Sequence, residues 1–194
     1  MIDKSDITGI ILAGGRSSRM GTDKGLLDLN GKAFITYSME ALSPFVSKIM
    51  IISDQDAYDV FNVERVEDII KDSGPLAGIF TGLNKSKTTY NLVLSCDIPL
   101  VQSNVLKILI EAQDGNQDIV QIESDGRAMP LIALYKKRCE SKFLELLQND
   151  ERRLHVAVNQ CKVKSVRLNS ENEVFTKNIN TPEDLKNLKD ANYY

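Results

Sequence analysis

From residue 7 to residue 168 the chain repeats one pattern, in which short and nearly continuous apolar runs alternate with longer amphipathic stretches. An apolar run with no polar alternation suits a strand covered on both faces, and the amphipathic stretches suit the helices that cover it. The pattern predicts an α/β fold with a mostly parallel central sheet. Strands are expected at 7–13, 48–53, 64–66 (a weak one), 91–96, 118–122, 130–135 and 162–168, with helices at 34–42, 55–62, 77–86, 103–113, 138–158 with a break, and 182–190. Between the strands at 118 and 130, Asp125-Gly126 favours a two-residue reversal, so an antiparallel hairpin should make the sheet mixed. Thr181-Pro182-Glu183-Asp184 supplies a hydroxyl cap, a first-turn proline and first-turn acids for the last helix. No repeat or flexible linker divides the 194 residues, which predicts one domain over 1–194 with one sizeable core.

Net charge, at -3, gives no general attraction to nucleic acid or a membrane, so any anion site must be local. No signal-like segment follows the opening MIDKSD, and no apolar stretch approaches the roughly 18 residues of a membrane span, which points to a cytoplasmic protein. Cys96, Cys139 and Cys161 are scattered and odd in number, which indicates neither a disulfide framework nor a thiolate zinc site. The single histidine, His155, lies in a predicted helix with no partner nearby in sequence and is expected to be a packing or surface residue. With so little imidazole and thiolate chemistry on offer, metal chemistry should use carboxylate oxygens.

The first strand runs into LAGGRSSRMGTDKGLL, residues 12–27. At the carboxyl edge of a parallel sheet, where open α/β folds bind ligands, Gly14 and Gly15 leave backbone amides uncovered. Arg16, Arg19 and Lys24 supply positive charge beside them, an arrangement suited to a triphosphate. Neither the ordinary P-loop G-x-x-x-x-G-K-[ST] nor the dinucleotide fingerprint G-x-G-x-x-G can be placed here. A second feature is Leu94 to Leu100, an apolar strand ending in Asp97 and then Pro99. A carboxylate at that position needs a partner, and Mg²⁺ held by one carboxylate plus substrate phosphates provides one; an ordinary helix cap is the alternative. A third is Asp72 to Gly78, whose Gly-Pro turn and small residues allow close approach of either a ligand or a neighbouring strand. Asp68, just upstream, is placed to accept two N–H bonds from a guanine base.

Together L-A-G-G-x-x-x-R-M-G-x-x-K at 12–24, G-P-L-A-G at 74–78, C-D-I-P at 96–99 and N-I-N-T-P-E-D at 178–184 resemble the molybdenum cofactor guanylyltransferases, a group of MobA-like nucleotidyltransferases. The resemblance covers nearly the whole chain. It implies a single-domain Rossmann-like fold of the GT-A type, GTP and molybdopterin as substrates, Mg²⁺ as cofactor, and transient contact with other cofactor-biosynthesis proteins. The reaction implied is transfer of GMP to the terminal phosphate of molybdopterin with release of pyrophosphate. Carried over position by position, Leu12, Ala13, Gly14 and Gly15 hold the nucleotide by backbone, and Gly78 lies beside it. Lys24 and Arg19 meet the phosphates, Asp68 the nucleoside, Asp97 the metal and nucleotide, and Asn178 and Asn180 lie near the pterin or metal. Met129 stands before Pro130-Leu131 where the family often has Gln or His, and Arg127, Arg152 and Arg153 are candidates for the pterin phosphate. Transfer of CMP, transfer to a sugar phosphate, and nucleotide binding without turnover are the other readings of the same motifs.

Overall fold

The computed structural model describes residues 2–14 and 23–190. Nine strands and seven α-helices follow one another as β1 (Ile7–Leu12), β2 (Asp28–Leu29), β3 (Lys32–Ala33), α1 (Phe34–Leu42), β4 (Lys48–Ile52), β5 (Glu64–Val66), α2 (Gly74–Lys85), β6 (Tyr90–Ser95), α3 (Ser103–Ala112), β7 (Ile119–Ser124), β8 (Arg127–Lys136), α4 (Cys139–Gln148), α5 (Leu154–Asn159), β9 (Val163–Arg167), α6 (Ser170–Glu173) and α7 (Pro182–Asp190), among the described residues. Seven strands form one sheet in the order β5-β4-β1-β6-β8-β7-β9, and β2 pairs with β3 separately. Every pairing in the large sheet is parallel except those of β8 with β6 and with β7, so the sheet is mostly parallel and mixed, as the sequence predicts.

β1 can occupy an interior position in the sheet, between β4 and β6, because its sequence, ITGIIL, is buried on both faces. Ile7 and Ile11 pack into one cluster with Leu42, Leu92, Leu106 and Leu109, contributed largely by α1 and α3. Ile10 packs on the other side with Leu76, Ile79, Leu83, Phe143 and Ala157, from α2, α4 and α5. A smaller cluster of Leu29, Phe34, Leu100, Ile179 and Leu188 ties the β2–β3 hairpin to the C-terminal segment. α2 lies close on β1 because its facing residues are small: a Cβ at Gly82 would come within 2.7 Å of Ile10, and one at Gly78 within 3.1 Å of Leu12.

The Asp125-Gly126 reversal forms as predicted, with φ of 51° and 69°, the left-handed pair that a two-residue hairpin of this twist requires. β8 is longer than expected, and its register against β7 shifts between Gln121 and Ile122. Pro130, which cannot donate to a ladder, falls in that irregularity, and the Tyr135 hydroxyl donates to its carbonyl at 2.8 Å. The helix expected at 138–158 is broken into α4 and α5, as predicted. Two helix expectations need correction. Residues 56–61 form a 3-10 stretch, stopped by Asn62 in the left-handed region, and α2 begins at Gly74, because Pro75 is compatible with a helix's first turn and extends it rather than preceding it.

Candidate active site

Strands β1, β4, β5 and β6 run in the same direction, so their carboxyl ends converge on one edge of the sheet. Leu12 to Gly14 leave β1 there, Ser53 and Asp54 leave β4, Asp68 follows β5, and Asp97 follows β6. The ladder continues slightly past the strands: the Ala13 N–H donates to the Ile52 carbonyl at 2.9 Å, and the Leu12 carbonyl accepts from the Cys96 N–H at 3.1 Å. Those two groups are therefore spent on the sheet. Gly14 is exposed, and a Cβ there would have only the Ser53 hydroxyl near it, at 3.9 Å. Gly15, Arg16 and Arg19 lie outside the described residues.

The chain is described again at Asp23, which caps a 3-10 turn over Lys24–Leu26. One Asp23 carboxylate oxygen accepts from the Gly25 N–H at 3.0 Å and from the buried Tyr58 hydroxyl; the other accepts from the Gln55 side-chain amide at 2.6 Å. Burial raises the Tyr58 pKa far above its usual range, so the phenol stays a donor. This clasp fixes the turn that carries Lys24. It also demands glycine at 25, because a Cβ there would collide with the Tyr58 hydroxyl. Gly25→Ala is expected to cost about 1–3 kcal/mol of stability, the usual cost of overpacking, read as a lowered midpoint in denaturant at unchanged m.

Lys24 and Asp97 are 3.5 Å apart, and both are largely buried, with side chains 22% and 15% exposed. The Lys24 ammonium also donates to the Asn180 Oδ1 at 2.5 Å. Asn180 is brought there by its neighbour: Ile179 is buried in the third cluster, and its N–H donates to the Asp97 carbonyl at 2.8 Å. Beyond it, Asp184 accepts from the N–H groups of Asn180 and Thr181 at 2.9 and 2.8 Å, and its own N–H donates to the Thr181 hydroxyl at 3.1 Å. This reciprocal cap starts α7 where the sequence places it. Those bonds, the Asn180 N–H first, hold the Asp184 carboxyl below its ordinary pKa.

The other Asp97 oxygen, Oδ1, is buried and has no hydrogen-bond partner among the described residues. Asp68 Oδ1 is in the same condition, beside Leu12 and the open face of Gly78. Burial pushes the Asp68 pKa up to about 6, and nearby Asp54 adds to it; Lys71 and the Thr81 hydroxyl partly offset the rise. A buried carboxylate oxygen left unpaired is costly, and a ligand at this edge could complete the bonding of both. Among the described residues no group of three acidic, Cys or His side chains could enclose a metal. A divalent cation at Asp97 Oδ1 would thus need further ligands from phosphate and water, which is how Mg²⁺ is usually bound in phosphate-transfer sites.

Of the predicted site residues, then, the structure brings together Leu12, Ala13, Gly14, Lys24, Asp68, Gly78, Asp97 and Asn180 at one edge. Asn178 is exposed and lines a separate cavity of about 190 Å³ with Leu100, Lys177 and Leu188. Arg127 stands exposed at the start of β8, on the same edge. Arg152 and Arg153 pair with Asp150 and Glu151, and His155 is exposed on α5, consistent with a surface role. Sequence reading missed Asp23, Gln55 and Tyr58; only the Asx-turn potential of Asp23 before Gly25 hinted at them.

Residues 9–163 match the model of the MobA-like NTP transferase domain. A probable molybdenum cofactor guanylyltransferase from Flavobacterium johnsoniae is 32% identical over 94% of this chain and 96% of its own length. A molybdenum cofactor guanylyltransferase from Vibrio parahaemolyticus is 31% identical over 95% and 96%. The crystal structure of molybdopterin-guanine dinucleotide biosynthesis protein A from Archaeoglobus fulgidus superimposes with a TM-score of 0.81 over 95% of this chain and 97% of that one, at 24% identity, and so shares the fold. With residues 9–163 matched by the family model and relatives of 31–32% identity covering nearly the whole chain, this chain belongs to the MobA-like NTP transferase domain family.

Proposed function

We propose that this chain is a single nucleotidyltransferase domain that transfers GMP from GTP to the terminal phosphate of molybdopterin, releasing pyrophosphate. The observation that carries this reading is the pair of buried carboxylate oxygens, Asp68 Oδ1 and Asp97 Oδ1, unpartnered among the described residues at the sheet edge where β1 ends, with Lys24 paired to Asp97 and bonded to Asn180. No protein nucleophile is needed. An oxygen of the acceptor phosphate attacks the α-phosphorus of GTP, a new P–O bond forms, and the bond to the β-phosphate oxygen breaks with pyrophosphate as leaving group.

Lys24 moves from Asn180 to the phosphates and neutralises charge that grows on the leaving group. Gly14, exposed and without a side chain, lets the phosphates approach the backbone. Arg19 and Gly15 are assigned to the same phosphates from sequence. Asp97 Oδ1 holds a divalent cation, Mg²⁺ in this proposal, and that cation neutralises phosphate charge and favours the in-line arrangement when bound. Asn180, released by Lys24, and Asn178 are assigned to the acceptor side. Among the described residues no helix is long and apolar enough to cross a membrane, and we assign the activity to the cytoplasm.

The test is purified protein incubated with molybdopterin, Mg²⁺ and each nucleoside triphosphate in turn, with pyrophosphate followed. Release with GTP alone supports the proposal. Release with CTP in its place assigns a cytidylyl transfer, and binding without pyrophosphate for any acceptor assigns a module without turnover.

Asp68 gives a pH-dependent prediction. As a carboxylate it accepts two N–H bonds from guanine, and as a neutral acid it accepts fewer. With its pKa at about 6, GTP affinity should fall as pH drops through that value, approaching tenfold per pH unit below it. Asp68→Asn should weaken GTP binding about 10- to 100-fold, the worth of charged hydrogen bonds, and remove this pH dependence. For stability the sign is opposite. The raised folded pKa means that stability is full below the ordinary value of 3.8 and is lost as pH rises through about 6. Asp68→Asn should therefore gain about 1 kcal/mol at pH 7, after discounting for partial exposure, measured in urea.

A further inference from the structure

β5 is only three residues long, and its parallel ladder with β4 ends irregularly. The last rung is the Ser53 N–H, which donates to the Val66 carbonyl at 3.0 Å. The regular continuation of a parallel ladder would carry the Asp68 N–H to the Ser53 carbonyl. That carbonyl accepts from the Arg65 guanidinium at 3.2 Å, and the Asp68 N–H donates to the Asp54 carboxylate oxygen Oδ1 at 3.1 Å. A side chain has taken the place of the backbone acceptor. Lys71 steadies it, with its ammonium bonded both to the same Oδ1 and to Glu67, the latter at 3.0 Å. One residue further on, the Ile69 N–H donates at 3.0 Å to the hydroxyl of Thr81, which is fully buried on α2. Two consecutive amides are thus tied to side chains of two other elements, while Asp68 Oδ1 has no hydrogen-bond partner among the described residues.

We propose that Asp54 is a positioning residue for base selection: by holding the Asp68 amide it aims the Asp68 carboxylate, so that a purine with both a ring N–H and an exocyclic amino group is preferred over one without the amino group. The inference rests on the reading of Asp68 as the group that accepts from guanine. Two parallel N–H···O bonds need both carboxylate oxygens in the plane of the base, and a tilt that keeps one bond loses the other. A residue just past the end of a strand turns about its own backbone unless that backbone is tied. Asp54 supplies the tie from the neighbouring strand end, and glycine at 78, where an added Cβ would lie 3.7 Å from Asp68 Oδ1, leaves the oxygen uncrowded. Asp54 is assigned no contact with the nucleotide and acts through Asp68. Its side chain is 48% exposed, so its truncation leaves the core as it is.

Binding of GTP and of inosine triphosphate, which lacks the exocyclic amino group, is measured by calorimetry on the full chain with Mg²⁺ and no acceptor, for the wild type, Asp54→Ala and Asp54→Asn, with circular dichroism to check folding. The wild type should bind GTP about tenfold more tightly than inosine triphosphate, the worth of one charged hydrogen bond. In Asp54→Ala the GTP affinity should fall about tenfold and the preference should vanish, with hydrogen exchange at the Asp68 amide quickened. Asp54→Asn keeps an oxygen for that amide and should restore most of the preference. Loss of the Lys71 ion pair alone would not give this pattern, since asparagine lacks the charge as well. A folded Asp54→Ala that keeps the wild-type preference, or an Asp54→Asn as indifferent as the alanine variant, overturns the role of Asp54 and leaves the reading of Asp68 standing. A wild type with no preference for GTP removes that reading, and the positioning role with it.

Discussion

Asp97→Asn is expected to lower kcat about 100- to 1000-fold while leaving the fold intact, the loss usually seen when one well-placed charge stabiliser is removed. The fold should survive because the Asp97 contact that organises the C-terminal segment is made by its backbone carbonyl, which asparagine keeps, and not by the carboxylate. What the substitution removes is the negative charge at Oδ1, the oxygen that has no hydrogen-bond partner among the described residues. An amide in its place is no longer a strong ligand for a divalent cation, so raising Mg²⁺ should restore part of the rate. Pyrophosphate release under saturating GTP, together with circular dichroism, separates loss of chemistry from loss of structure. Wild-type turnover in the folded variant would remove Asp97 from the proposed mechanism.

Lys24→Ala should lose a similar factor, about 100- to 1000-fold in kcat, because the charge it carries is wanted most when the leaving pyrophosphate forms. Its resting partners make a second effect visible. Without the ammonium, Asn180 Oδ1 loses its donor and Asp97 loses its counter-charge in a largely buried setting, so a stability loss of about 1–3 kcal/mol is expected as well. Lys24→Met, which keeps the length and apolar stem, should recover part of the packing and none of the rate. A kcat within tenfold of wild type in either variant would contradict the role assigned to Lys24.

Much of the framework could be read from local pattern. ITGIIL has no polar alternation and becomes an interior strand, Asp125-Gly126 supplies the two left-handed residues its hairpin needs, and Thr181 and Asp184 cap α7 as their spacing suggests. The β2–β3 hairpin was equally written in the sequence, with Asn30-Gly31 at φ 54° and 80°, but strands of two residues leave no periodicity to detect. The motifs located Asp68, Lys24 and Asp97, since each follows a strand or a glycine-rich turn. They did not show how those side chains are held. Tyr58 reaches Asp23 across 35 positions and Lys24 reaches Asn180 across 156, and no local spacing encodes contacts that depend on which strands become neighbours. The unpaired state of Asp68 Oδ1 was likewise hidden, because it follows from α2 settling against β1 through Gly78 and Gly82.

The bond from Ile179 to Asp97 joins the last segment of the described chain to the rim formed by much earlier residues. A growing polypeptide emerges amino end first, so the sheet and its acidic rim can assemble while the segment bearing Asn180 has yet to be made. Under the proposed mechanism, truncation just upstream of Ile179 removes Asn180 together with Ile179 and Leu188 of the third cluster, and should cost both stability and activity.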